Sequence, residues 1–304
     1  MIATVTLNPA IDCVVKVEEF RAGCLNRVSE EAVFPGGKGV NVSLVLTELD
    51  VDTCVSGFLA GTTGKAYEAM LTERNLKDHF LFVDNGFTRI NTKVSSQEET
   101  EINGIGPVLT FADLDRLCGK LRELPDLDML VLSGNVPSGV KGAYEYILKN
   151  LSDLPIRPVV DVTGKELQKT LPFHPFLIKP NLEELEDLFT VRIKTLGEVR
   201  YYARELQHMG AANVLVSMGA EGMLLLTEEK TALYAKGVKG KVANTVGAGD
   251  SSVAGFLAGW EATHSYEEAL RLAAAAGTAT AFTYGTAHKD EIRRLEKRIQ
   301  IERI

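Results

Sequence analysis

The residues best suited to chemistry lie late in the chain, in the run Asn244-Thr245-Val246-Gly247-Ala248-Gly249-Asp250-Ser251. A turn of small residues there leads directly into an apolar-periodic stretch (Val253, Ala254, Phe256, Leu257, Trp260), which predicts a helix beginning at the carboxylate. The first N–H groups of a helix have no intrahelical acceptors, and the helix dipole adds partial positive charge at the same end. Small side chains let an anion approach those groups. Gly247, Ala248 and Gly249 are therefore the expected anion hole. Asp250, at its lip, is placed to take the proton of a hydroxyl attacking that anion. An anion hole beside a positioned base is what phosphoryl transfer to an alcohol requires. The same residues also describe an ordinary turn capped by Asp, so the rest of the chain must decide.

A second glycine-rich run, Pro35-Gly36-Gly37-Lys38-Gly39-Val40-Asn41, also precedes a helical pattern. Lys38 offers a point charge to a phosphate, and Asn41 a donor and an acceptor to sugar hydroxyls. It is not a Walker A loop, because Gly39 follows the lysine where Ser or Thr is needed. Gly61-Thr62-Thr63-Gly64-Lys65-Ala66 fails the same test. Asn8-Pro9-Ala10-Ile11-Asp12 closes the first strand with a carboxylate at the usual ligand edge of an α/β sheet; Asp12 there either binds neighbouring hydroxyls or caps the turn. Arg89 adds a guanidinium suited to a phosphate or simply to solvent. In Lys179-Pro180-Asn181-Leu182-Glu183-Glu184, Asn181 and Glu184 have the spacing of a capping box. Alternatively, Glu184 orients Mg²⁺ through water, with Lys179 facing nucleotide phosphates. Ser217-Met218-Gly219-Ala220-Glu221-Gly222 reads as hairpin punctuation, or as the rim of a nucleotide site beside the Asp250 loop.

These groups need a scaffold, and the pattern supplies one. β-branched runs (3–7, 53–58, 129–133, 158–162, 176–179, 213–217, 223–227) alternate with helical stretches (38–49, 64–75, 111–123, 141–150, 181–189, 195–209, 250–262, 265–283). That alternation predicts an α/β protein with a mostly parallel sheet covered on both faces. Segments 12–34 and 89–102 break the rhythm with strand-like alternation, and predict a small antiparallel sheet forming a lid over the ligand edge. No linker separates two units, so one domain over residues 1–304 with a discontinuous lid (about 12–34 and 89–103) is expected. The formal net charge of −8 argues against nucleic-acid binding, and leaves a few local cations to hold any anionic substrate. The chain shows neither a leader pattern at its N-terminus nor an apolar run long enough for a membrane span, so a cytoplasmic protein is expected. Cys13, Cys24, Cys54 and Cys118 are scattered, without metal or redox spacing.

Taken in order from residue 8 to residue 251, N-P-x-x-D, G-G-K-G-x-N, K-P-N-x-x-E, V-S-x-G-x-x-G and T-V-G-A-G-D-S resemble the ribokinase-like family of ATP-dependent sugar kinases. Leu25-Asn26-Arg27, the stretch Thr88 to Lys93 and the stretch Thr100 to Gly104 resemble its hexose-phosphate branch. Ala60 departs from a glycine pair common in the family. The resemblance implies a three-layer α/β/α fold with a β lid, Asp250 as proton acceptor, and the Gly247–Gly249 backbone as anion hole. It implies sugar contacts from Asp12, Gly37, Lys38 and Asn41, with Arg89 and Arg27 on the substrate's existing phosphate. ATP would meet Lys179, Asn181, Ser217, Met218, Gly219, Ala220, Glu221, Gly222 and Gly249, with Mg²⁺ organised by Glu184 through water. The implied reaction carries the γ-phosphoryl group of ATP to the C6 hydroxyl of fructose 1-phosphate, or alternatively to C1 of tagatose 6-phosphate. A non-catalytic sugar-phosphate sensor on the same scaffold could dispense with Asp250, which is present here. The helix start is expected to lower the pKa of Asp250, and the lid strands are expected to form a homodimer.

Overall fold

A computed structural model describes residues 1–283 and 285–304. The chain opens with β1 (Ile2–Thr6), β2 (Ala10–Lys16), β3 (Glu30–Gly36), α1 (Lys38–Glu48), β4 (Thr53–Ala60), α2 (Gly61–Glu73), β5 (Leu81–Val83), β6 (Arg89–Ser95) and β7 (Thr100–Asn103). It continues through α3 (Phe111–Arg122), β8 (Met129–Ser133), α4 (Ala143–Asn150), β9 (Arg157–Asp161), α5 (Gly164–Thr170), β10 (Leu177–Ile178), α6 (Leu182–Phe189) and α7 (Leu196–His208). It closes with β11 (Asn213–Ser217), β12 (Gly222–Leu226), β13 (Ala232–Lys236), α8 (Ala248–Thr263), α9 (Tyr266–Ala281), α10 (Lys289–Glu296) and β14 (Ile301–Arg303).

Among the described residues, ten strands form the main sheet in the order β14-β13-β12-β11-β10-β9-β8-β1-β4-β5. Pairings from β11 through to β5 are parallel, and β12, β13 and β14 add antiparallel strands at one edge. The parallel strands are apolar on both faces because helices cover both, and β1, β4 and β8 are buried along their whole length. One face packs on Leu114, Leu117, Tyr144 and Ile147 of α3 and α4, the other on Val42, Phe256, Leu257 and the alanine block of α9, where Ala273, Ala275 and Ala276 are fully buried. The expected α/β architecture is present. Because the central strands are parallel, the C-terminal ends of β1, β9, β10 and β11 meet at one edge, and that edge carries the chemistry.

The lid sheet runs β3-β2-β6-β7. It is mixed, not antiparallel as expected, because β2 and β6 pair in parallel. The reason is topological: β1 feeds β2 and β5 feeds β6, and those two feeder strands leave the same edge of the main sheet in the same direction. Pleating then sorts the lid's side chains. Cross-strand partners Asp12 and Asn91 share one face with Lys93, whereas Val33, Ile90 and Ile102 fall on the other, exposed face. The sequence pattern missed β5, β13, β14, α5 and α10. The strands among these are short, and α10 (KDEIRRLE) is mostly charged, with buried Ile292 and Leu295 as its only apolar anchors.

Candidate active site

A cleft of about 380 Å³ opens at the C-terminal edge of the parallel strands, under the lid. Its walls bring together Asp12, Gly37, Lys38, Asn41, Arg89, Lys179, Asn181, Glu184, Ser217, Gly247, Gly249 and Asp250, residues spread over most of the chain. Thr6, Asn8, Asn91, Asn135 and Asp161 also line it; Asn8 and Asn91 stand in motifs noted from sequence, but none of the five had been given a site role there.

Asp250 sits in the first turn of α8, after Gly247 in a left-handed conformation (φ 81°). Its carboxylate is buried and accepts a 2.8 Å hydrogen bond from Asn41 Nδ2, so Asn41 orients the base. The expectation of a lowered pKa is overturned. Burial, with help from the negative charge of Asp161, pushes the Asp250 carboxyl up to about 6. The ammonium groups of Lys38 and Lys179 and the Asn41 bond pull it down without prevailing. A helix terminus cannot dominate where the group has lost most of its water.

The loop amides also need a correction. Ala248 N–H donates to Thr245 C=O (3.2 Å) and Ser251 N–H to Gly247 C=O (2.8 Å). The N–H groups of Gly247, Gly249 and Asp250 have no partner among the described residues, so the amides open to an anion are these three, and Ala248 is spent on the turn. Gly249 has a steric reason to be glycine: a Cβ there would lie 3.2 Å from Lys179 Nζ. The ammonium group thus rests against the same helix start, and reinforces its attraction for an anion.

Asp161, at the end of β9, holds the two lysines. Its Oδ2 lies 3.4 Å from Lys38 Nζ and its Oδ1 3.3 Å from Lys179 Nζ. Burial alone would raise its pKa, but Lys179 and Lys38 outweigh that and hold it below the usual carboxylate range. Asp161 in turn raises the pKa of Lys38. The cluster therefore keeps two fixed cations and one fixed anion beside a carboxylate poised near neutrality. A sequence signal for Asp161 existed: an Asp at the C-terminal end of a parallel strand, the same rule that picked out Asp12.

At the other end of the cleft, Asp12 is engaged by Asn91 Nδ2 (2.9 Å) and Lys93 Nζ (3.0 Å). Arg89 donates from Nε to Asn8 C=O (3.1 Å) and from Nη1 to Gly104 C=O (3.4 Å). Burial draws its pKa down against the pull of Asp12. Gly37 has φ 140°, which L side chains rarely adopt, and a Cβ there would meet Thr6 Cγ2 at 2.8 Å. Arg27, in contrast, stands on an exposed turn between β2 and β3 and does not line the cleft.

The capping box of α6 is formed: Glu184 N–H donates to Asn181 Oδ1 (2.7 Å) and Asn181 N–H to Glu184 Oε2 (2.9 Å). Both residues nevertheless face the cleft, so the cap and a ligand role are compatible. Gly219, Ala220 and Glu221 form an exposed 3₁₀ turn, Met218 packs against the core, and Gly222 opens β12 with its open side filled by Ala235 C=O. Of this run only Ser217 lines the cleft. Among the described residues no group of three or more His, Cys, Asp or Glu side chains could hold a metal ion. The carboxylate of Glu184 in the cleft still suits Mg²⁺, which takes one or two carboxylates and completes its shell with phosphates and water.

A buried base, free amides at a helix start and lysines around a polar cleft together define a phosphotransferase site on an α/β scaffold. The family model of the pfkB family carbohydrate kinases matches residues 4–293, and the chain belongs to that family. It is 41% identical to 1-phosphofructokinase of Bacillus subtilis (strain 168), with 100% of both chains covered. It is 36% identical to D-tagatose-1-phosphate kinase of Bacillus licheniformis, over 99% of each chain. The solved structure of phosphofructokinase-2 from Escherichia coli in complex with fructose-6-phosphate superposes with a TM-score of 0.90 at 26% identity, covering 98% of each chain.

Proposed function

We propose that this carbohydrate kinase transfers the γ-phosphoryl group of ATP to the C6 hydroxyl of fructose 1-phosphate, giving fructose 1,6-bisphosphate. The observation that carries the reading is the cleft's polarity along its length: a buried carboxylate and free amides at one end, a half-buried guanidinium at the other. The sugar lies between them, with Asn41, Asp12 and the Gly37 backbone available to its hydroxyls. Arg89 receives the substrate's phosphate. Asp250 takes the C6 hydroxyl proton, and its raised pKa makes it a stronger base than an ordinary carboxylate. Lys179, Lys38 and the open amides offset the charge that develops on the transferring group. Mg²⁺, held by Glu184 through water, would neutralise charge on the nucleotide phosphates. Ser217 and the exposed turn after it form the rim on the nucleotide side.

The similarity to D-tagatose-1-phosphate kinase favours a second substrate, tagatose 1-phosphate, which differs from fructose 1-phosphate only at C4. ADP release with Mg-ATP decides between them, comparing kcat/KM for fructose 1-phosphate, tagatose 1-phosphate, tagatose 6-phosphate and fructose 6-phosphate. Preference for fructose 1-phosphate is expected; turnover of none would sink the catalytic reading and leave a sensor. We also propose a homodimer through the lid, because Val33, Ile90 and Ile102 leave an apolar outer face, 44–60% exposed, on a sheet only one layer thick.

A further inference from the structure

The segment leaving β7, Gly104–Pro107, belongs to neither sheet, yet it touches the side chains at the sugar-phosphate end of the cleft. Gly104 N–H donates to Asn91 Oδ1 (3.2 Å), and Asn91 in turn holds Asp12. Gly104 C=O accepts from Arg89 Nη1. A side chain at Gly104 would drive into Ile90 C=O and Arg89 Cβ, at 2.8 and 2.9 Å, so the segment lies flush against β6. Apolar burial anchors only its far end, where Pro107 is buried; the side chain of Ile105 is 79% exposed.

The exposed middle of the segment is held by Asn8. This residue is 7% exposed, and its Nδ2 donates to Ile105 C=O (3.0 Å). Its Oδ1 lies so close to Gly106, which has φ +82°, that a Cβ there would sit 2.1 Å away. Asn8 therefore bonds the segment through Nδ2 and packs Oδ1, which has no hydrogen-bond partner among the described residues, against Gly106, while its own carbonyl accepts from Arg89 Nε. With Nε and Nη1 both committed to carbonyls, Arg89 Nη2 makes no hydrogen bond among the described residues and is the end left for a ligand.

We infer that Asn8 is a positioning residue for Arg89, acting through the Gly104–Pro107 segment to fix the place where the cleft receives the anionic end of its substrate. Without the Ile105 bond the segment is free to lift, Gly104 C=O leaves the guanidinium, and Arg89 regains rotamers that miss the phosphate. The inference rests on the reading of Arg89 as the phosphate ligand, and the test separates the two.

Steady-state kinetics on the full chain with Mg-ATP and fructose 1-phosphate would compare the parent with Asn8→Ala, Arg89→Ala and the double variant, and thermal unfolding would be followed in parallel. Asn8→Ala is expected to raise KM for the sugar phosphate roughly ten-fold, about the worth of one hydrogen bond to a charged group. KM for ATP should stay within about two-fold, as expected when only sugar-phosphate binding is weakened. In the Arg89→Ala background the Asn8 change should add nothing. Multiplicative effects in the double variant, or equal rises in both KM values, would overturn the inference in favour of a general structural role. A raised KM for Arg89→Ala with none for Asn8→Ala would overturn it too, while leaving Arg89 as the phosphate ligand. If Arg89→Ala itself left KM unmoved, the parent reading would fall and this inference with it. Asn8→Asp, which keeps the shape but cannot donate to Ile105, is the second variant should Asn8→Ala fail to fold, with the same expectation.

Discussion

The proposed mechanism concentrates the chemistry in the side chain of Asp250, whose environment makes quantitative demands. Asp250→Asn should cut kcat by roughly 10²–10⁴-fold, the range for loss of a general base, and a near-parental kcat would remove it from the mechanism. In the parent enzyme, kcat/KM should fall as pH drops through about 6, where the carboxyl takes up its proton. The same shift acts on stability. The folded-state pKa lies above the ordinary 3.8, so the native protein binds the proton more tightly, and stability falls as pH rises from about 4 to about 6. Above that the penalty is constant, so Asp250→Asn should raise Tm at pH 7.5 even as it lowers kcat. Asp161→Asn should shift the acid limb of the pH–rate profile downward, because the Asp161 charge helps to raise Asp250 while Lys38 and Lys179 oppose it. It should also cost about 3–5 kcal/mol of stability, the usual cost of leaving a buried charge such as Lys179 unpaired. An unmoved acid limb would show that the two carboxyls are not coupled.

At the scale of elements, two helix starts serve the cleft in different ways. α8 begins with amides free to meet an anion, whereas α6 begins with a closed capping box whose Glu184 also faces the cleft. Cap and ligand roles can be separated by substitution. Asn181→Ala removes the acceptor for Glu184 N–H and should destabilise the fold by roughly 0.5–2 kcal/mol in denaturant unfolding. Glu184→Gln keeps an oxygen for the Asn181 N–H and should leave unfolding nearly unchanged, while the Mg²⁺ concentration for half-maximal rate rises. Equal losses of stability in the two variants, with no change in Mg²⁺ dependence, would make Glu184 a cap alone.

For the whole molecule, the lid presents two faces with opposite tasks. Asp12, Asn91 and Lys93 look into the cleft, and Val33, Ile90 and Ile102 look away from it. Covering the outer face with a second copy would remove apolar area from water and stiffen a sheet that has no layer of its own behind it. Ile102→Lys is expected to convert the dimer to monomer in sedimentation at micromolar protein, and to raise KM for the sugar more than for ATP. A parental protein that sediments as a monomer would refute the lid interface. With a net charge of −8, attraction for a phosphorylated substrate must come from local groups, among them Lys38, Lys93, Lys179, Arg89 and the open amides of α8.

Residue type and order alone determined the α/β class and singled out the Asp250 carboxylate, the glycine loops and the lysines that meet in the cleft, because each is a local signal: a period, a turn, a helix start. Asp12, Lys38, Asn41, Lys179 and Asp250 line one cleft although they span residues 12 to 250, since parallel strands must deliver their C-terminal ends to a common edge. Tertiary structure decided the rest. Asp161 became the link between two lysines only when β9 lay beside β10. The pKa of Asp250 changed direction because burial and a neighbouring charge come from distant segments, and a helix start read in sequence carries no record of either. The Ala248 amide was withdrawn by a bond to Thr245, Arg27 was left on an exposed turn, and the lid became mixed because two parallel strands feed it. Local pattern fixes which groups a chain possesses; their protonation, partners and reach are properties of the packed space around them.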